Sequence, residues 1–115
     1  MKLNHRTIRM GWAVGLLAVA VLAVTASAQA QDAGALFKAK CSTCHAVDGS
    51  GSTQMGKTLG APDLRSDEIQ KKTDAQLIDA VTNGVGKKMP PYKGKLTDAQ
   101  IKDLVGYIRG LAKKT

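Results

Sequence analysis

Along the C-terminal third of the chain, Ile101, Leu104, Val105, Ile108 and Leu111 recur at the spacing of a single helical face. Thr97-Asp98-Ala99-Gln100 opens that run: a hydroxyl that can cap the first turn, with a Gln three residues on to reach back to it. The same four letters stand at Thr73-Asp74-Ala75-Gln76, before an apolar stripe of Leu77, Ile78 and Val81 and a stop at Asn83-Gly84, which predicts a helix over 74–83. The residues after each copy differ, so the repeat is capping chemistry used twice and not an internal duplication. Asp32 can cap a third helix running to about Lys40, with Leu36 and Phe37 as its apolar anchors, and a further turn is expected around Ser66–Lys71. Gly49, Gly51, Gly56, Gly60 and Pro62 break up residues 46–63, which read as an irregular loop. No stretch alternates with period two, so the fold class is all-α with three to four short helices.

The other apolar run lies near the N-terminus, from Gly11 to Val24. Lys2, Arg6 and Arg9 precede it and Ala26-Ser27-Ala28-Gln29-Ala30 follows, the pattern of a cleavable secretory signal peptide over 1–30 with the mature domain at 31–115. Fourteen apolar residues fall short of the ~20 that span a bilayer. From Gln31 onward there are 14 Lys and Arg against nine Asp and Glu, a net charge of +5, which favours acidic protein surfaces or peripheral contact with anionic membranes. Nucleic acid is disfavoured, since the basic residues are mostly lysines without interleaved aromatics. The mature region keeps only Phe37, Tyr92 and Tyr107 as aromatics. Ordering it costs on the order of 130 kcal/mol, which so little apolar side chain offsets poorly. A disulfide between its two cysteines would close too short a loop to make up the difference, and a large bound cofactor is the remaining way to fill the core.

Those two cysteines supply the candidate chemistry, in Cys41-Ser42-Thr43-Cys44-His45. A structural zinc site wants four Cys or His ligands and the mature region holds three. A redox dithiol belongs beside a βαβ pattern, absent here, and does not require the histidine. Covalent haem c attachment uses all three residues: Cys41 and Cys44 bond one porphyrin edge and His45 lies beneath the iron as a ligand. For the opposite face the mature region offers Met55, Met89 and lysines but no second histidine. Met89 is the choice, because Pro90 and Pro91 stiffen its loop, whereas Met55 follows His45 by ten residues in a glycine-rich stretch.

With these residues in place, the mature region resembles a class I cytochrome c of the small monohaem bacterial kind. The resemblance runs through Leu36-Phe37, the haem motif, Ala61-Pro62-Asp63-Leu64, Asn83-Gly84, Met89-Pro90-Pro91-Tyr92 and Leu104-Val105-Gly106-Tyr107-Ile108-Arg109. It implies the cytochrome c fold wrapped around one haem. It also implies that the Pro62 carbonyl serves His45, that Leu64, Tyr92 and Leu104 line the haem, and that Phe37 and Tyr107 mark the crossing of the first and last helices. At the helix-crossing position where glycine is usual this chain has Ala33, with Gly34 beside it; close helix approach is then expected at Gly106, while Arg65, Lys57 and Tyr92 are the candidates for the haem propionates.

The function this implies is one-electron transfer in the periplasm by a monomer that is not itself an enzyme, between redox proteins with acidic docking surfaces. Lys87, Lys88, Lys93 and Lys95 around Met89, with Lys38 and Lys40 before the cysteines, would form the positive rim. Two alternatives stay open: a haem subunit of a dehydrogenase or oxidase that keeps residues 11–28 as a membrane anchor, and a sensor or peroxidase-like protein in which Met89 leaves the iron.

Overall fold

The computed structural model describes residues 32–112; the expected signal peptide and its cleavage site lie outside them. Six helical segments follow in order, α1 (Asp32–Lys40), α2 (Ser42–His45), α3 (Gln54–Leu59), α4 (Asp67–Gln70), α5 (Asp74–Asn83) and α6 (Asp98–Gly110). No strand forms among the described residues, only isolated bridges within tight turns, Val85 with Met89 and Lys93 with Leu96.

The two TDAQ capping boxes form as the sequence predicts. Thr73 and Thr97 each accept from the N–H of the Gln three residues on, whose side chain returns to the Thr N–H. The stripe on α6 is buried at Ile101, Leu104, Val105 and Ile108, and that on α5 at Leu77 and Val81. Phe37 from α1, Leu64 and Ile69 join Leu77, Leu104, Val105 and Ile108 in one apolar cluster. Where α1 crosses α6, the Phe37 and Tyr107 rings stand 5.1 Å apart at 42°. The close approach falls on Gly34, where an added Cβ would lie 3.2 Å from the Tyr107 ring. Gly106 does not supply it: Leu104, Val105 and Ile108 take the buried face, and Gly106 is left exposed with no atom near its missing Cβ.

The stretch 46–63 is more ordered than its glycines predict, because it contains α3. Thr53 starts that helix, accepting from the Gly56 N–H at 2.9 Å while donating to the Thr43 carbonyl at 2.7 Å, and Gly60 ends it in the left-handed conformation at φ 69°. The turn expected around Ser66 forms as α4, capped by the Ser66 hydroxyl.

Arg109 on α6 ties these short elements down. Its guanidinium donates to the carbonyls of Gln70 and Lys72 and to the Asp74 carboxylate at 2.8 Å, so one side chain spans the α4–α5 corner. Gln70 completes the tie by donating to the Leu64 carbonyl at 2.8 Å and the Ile108 carbonyl at 3.0 Å. Charge-assisted bonds to backbone carbonyls are worth more than an exposed ion pair, so Arg109→Ala should lower the unfolding free energy by about 1.5 kcal/mol. Denaturant titration followed by circular dichroism checks this.

Candidate functional site

Helix α1 ends in hydrogen bonds that set up the next turn: the Cys41 N–H donates to the Phe37 carbonyl at 2.8 Å, and the His45 N–H returns to the Cys41 carbonyl at 2.9 Å. The single turn α2 thereby holds Cys41, Cys44 and His45, all half-buried, on one wall. The loop behind it is fixed through glycines. The Gly51 N–H donates to the His45 carbonyl at 2.8 Å, and its φ of 72° together with an Ala61 carbonyl 2.7 Å from any added Cβ excludes a side chain there. The Leu64 N–H donates to the Gly49 carbonyl at 2.8 Å, which turns Pro62 and Leu64 toward the same wall.

Across from α2, the segment after α5 reverses in a tight turn closed by the Val85 N–H to the Met89 carbonyl at 3.0 Å and the Met89 N–H back to Val85 at 3.2 Å. Gly84, at φ 75°, lets the returning chain press close: a Cβ there would lie 2.5 Å from the Met89 carbonyl oxygen.

Between these walls lies a cleft of about 700 Å³, within the ~300–1,000 Å³ typical of cofactor sites. Cys41, Cys44, His45, Pro62, Leu64, Met89, Tyr92 and Leu104 all line it. Sequence reasoning missed part of the lining. Ile69, Leu77, Val81 and Ile108 carry the apolar floor, and Lys72 and Lys88 stand at the margin; Leu77, Val81 and Ile108 were visible only as helix-face residues, and Ile69 lay unnamed within the turn expected around Ser66–Lys71. Met55 is 48% exposed and is not in the lining. Neither Arg65 nor Lys57 lines the cleft: Arg65 pairs with Asp63 at 2.9 Å and Asp48 at 3.4 Å, and Lys57 is exposed on α3.

The chemistry of the wall is unusual for a bare protein. Burial, and after it the charge on Cys44, pushes the Cys41 thiol up to about 11. Burial holds His45 below its ordinary pKa, with the nearby Pro62 carbonyl acting in the opposite sense. His45 Nδ1 is nevertheless buried without a hydrogen-bond partner of good geometry, although buried polar atoms are almost always satisfied. A neutral imidazole and two thiols on the wall of a large apolar cleft fit a covalently held metalloporphyrin, which would fill the volume and engage the ring. No group of three or more His, Cys, Asp or Glu side chains among the described residues is placed to hold a metal ion by itself, so a zinc site has no ligand set.

An all-α fold closed around an apolar cleft, with Cys-x-x-Cys-His on its wall, defines a c-type cytochrome. Residues 28–108 match the family described as cytochrome c oxidase, cbb3-type, subunit III. The chain is 38% identical over 90 residues to cytochrome c6 of Leptolyngbya boryana, covering 76% of this chain and 98% of that protein. It is 33% identical over 88 residues to the cbb3-type oxidase subunit CcoP of Azospirillum brasilense, covering 76% of this chain but only 30% of that subunit's length. Among solved structures, the KustC0563 c-type cytochrome superposes with a TM-score of 0.67 at 38% identity, covering 71% of this chain and 99% of that one. The chain therefore belongs to the cytochrome c family, as a small class I monohaem domain whose cofactor is haem c. No helix among the described residues is long and apolar enough to cross a membrane.

Proposed function

We propose that this protein is a periplasmic one-electron carrier, with Cys41 and Cys44 attaching the haem and His45 and Met89 holding the iron from opposite faces. The observation that carries this reading is that all four residues line one cleft. When bound, the haem supplies a reversible one-electron couple at its iron. The chain's part would be to hold the iron with His45 and Met89, leaving no site for a substrate, and to keep water away with Leu64, Leu77, Leu104 and Ile108. A thioether ligand in an apolar surround favours the less charged ferrous state and raises the potential. On this reading the protein is not an enzyme.

Replacing the thioether tests the ligand set. Met89→Ala should abolish the far-red absorption band of thioether-ligated ferric iron and lower the midpoint potential, whereas Met55→Ala should change neither; a band that survives Met89→Ala excludes Met89 as the ligand.

The partners that fit are redox proteins with acidic faces. Lys40, Lys72 and Lys88 line the cleft, and Lys87, Lys93 and Lys95 are exposed on the loop that carries Met89. Electron exchange with an acidic redox protein should therefore slow steeply as ionic strength rises from about 10 to 150 mM, where the Debye length shrinks from ~30 to ~8 Å. Stopped-flow rates that stay flat with salt would remove this docking surface. The likeness to CcoP keeps a second reading in view, an oxidase haem subunit anchored through residues 11–28. N-terminal sequencing of the native protein separates the two, since a carrier starts near Gln29 or Gln31.

A further inference from the structure

Tyr92 lines the cleft, and its hydroxyl is engaged elsewhere. It donates to the backbone carbonyl of Lys40 at 3.0 Å, between residues 52 apart in the chain. We infer that this bond is a latch: Tyr92 is a positioning residue that fixes the Met89 loop against the wall carrying Cys41, and so sets how readily the Met89 sulfur leaves the iron. The inference rests on the reading of Met89 as the axial ligand.

The acceptor is placed for this role by helix geometry. Lys40 is the last residue of α1, where carbonyls have no partner inside the helix. Cys41 N–H takes the Phe37 carbonyl and the Ser42 hydroxyl takes that of Lys38, while Tyr92 takes that of Lys40. This carbonyl stands directly before Cys41, whose sulfur would be bonded to the haem. A group hydrogen-bonded to Lys40 is thus referenced to the haem edge itself.

The loop has no comparable tie. Its other hydrogen bonds run back to α5 or within itself: Tyr92 N–H to the Val81 carbonyl and Lys93 N–H to the Thr82 carbonyl, each at 3.0 Å, and the Val85–Met89 pair. Among the described residues, the Tyr92 hydroxyl makes the one hydrogen bond from 84–96 to α1 or α2. Between this anchor and Met89 stand only Pro90 and Pro91, whose rings fix φ and let the anchor's position pass to the ligand with little slack. On the other side of Met89, Gly84 and Gly86 hold φ of 75° and 54° and form a natural hinge once the latch is open.

Carbon monoxide binding to the reduced holoprotein reads the opening directly, because the gas reaches the iron only when the thioether leaves. Tyr92→Phe keeps the ring and removes the hydroxyl. It should raise the rate of uptake about fivefold, the ratio that one hydrogen bond of ordinary strength sets. Pro91→Gly, which leaves the hydroxyl in place but loosens its link to Met89, should raise it as well. Arg109→Ala, which weakens the fold away from the loop, should leave the rate at the wild-type value. Either loop variant matching wild type, or Arg109→Ala rising equally with them, overturns the latch. If the wild-type ferric protein itself lacks the thioether band, the Met89 reading fails and the latch falls with it; an unchanged Tyr92→Phe in a protein that has the band removes the latch alone.

Discussion

A chain carrying Cys41→Ser and Cys44→Ser together, and freed of haem by acid extraction, should lose most of its helical ellipticity at neutral pH. The reason lies in the volume that the haem occupies. About 700 Å³ of cleft separates α2 from the Met89 loop. At ~24 cal/mol per Å³ an unfilled cavity of that size sets an upper bound of about 17 kcal/mol, larger than the ~5–15 kcal/mol by which domains are stable. The cleft opens partly to solvent, so the realised loss is smaller, but the fold has few reserves. Among the described residues, only Phe37, Ile101 and Leu104 of the large side chains are fully buried, and the two cysteines form no disulfide. Wild-type holoprotein treated with the same extraction should keep its haem and its helices, since thioether bonds resist that treatment. Circular dichroism of the two samples side by side checks the prediction; a colourless double variant with native ellipticity would show that the helices close without the porphyrin.

Gly56→Ala should be the most damaging single-atom-group addition in the domain, lowering stability by about 3 kcal/mol. Gly56 is buried in α3, and a Cβ on it would lie 2.1 Å from the Cys44 carbonyl oxygen and 2.5 Å from that of Gly51. Both obstacles are backbone, so neither can swing aside as a long side chain would. The Cys44 carbonyl belongs to the haem-bearing turn, and the Gly51 N–H holds the His45 carbonyl, so relief of the clash moves the wall of the site. A helix interior ordinarily gains about 1 kcal/mol when Gly becomes Ala, which sharpens the test: Gly106→Ala, on the exposed face of α6, should be neutral or stabilising. Thermal unfolding of the two variants compares an identical chemical change at a crowded and an open position.

These two glycines also mark how far the sequence could be read. Helices α5 and α6 were legible because each carries its whole instruction locally, a Thr-x-x-Gln box followed by apolar residues at 3.6-residue spacing. Helix α3 was not, because its start depends on Thr53 binding across to the Thr43 and Cys44 carbonyls, and glycine at 56 is there for a tertiary approach that no local pattern announces. For the same reason the approach between α1 and α6 could not be placed: the choice between Gly34 and Gly106 depends on which face of α6 turns inward around Tyr107.

The site divides along similar lines. Cys41, Cys44 and His45 stand out by spacing alone, and Met89 by its prolines and by the shortage of rivals. The direction of a polar side chain is another matter. Arg65 satisfies Asp63 and Asp48 on the surface and stays out of the cleft, and the Tyr92 hydroxyl finds a carbonyl exposed by the end of α1. Both outcomes follow from partners brought near by folding, which residue types and spacings do not encode.

On this reading haem is joined to Cys41 and Cys44 and fills the interior of the domain. Mass spectrometry of a proteolytic digest of the native protein tests it most directly. The peptide containing residues 41–45 should carry the mass of one haem, added through two thioether bonds. A folded protein that yields this peptide at its bare polypeptide mass, with both thiols free or joined to each other, would contradict it.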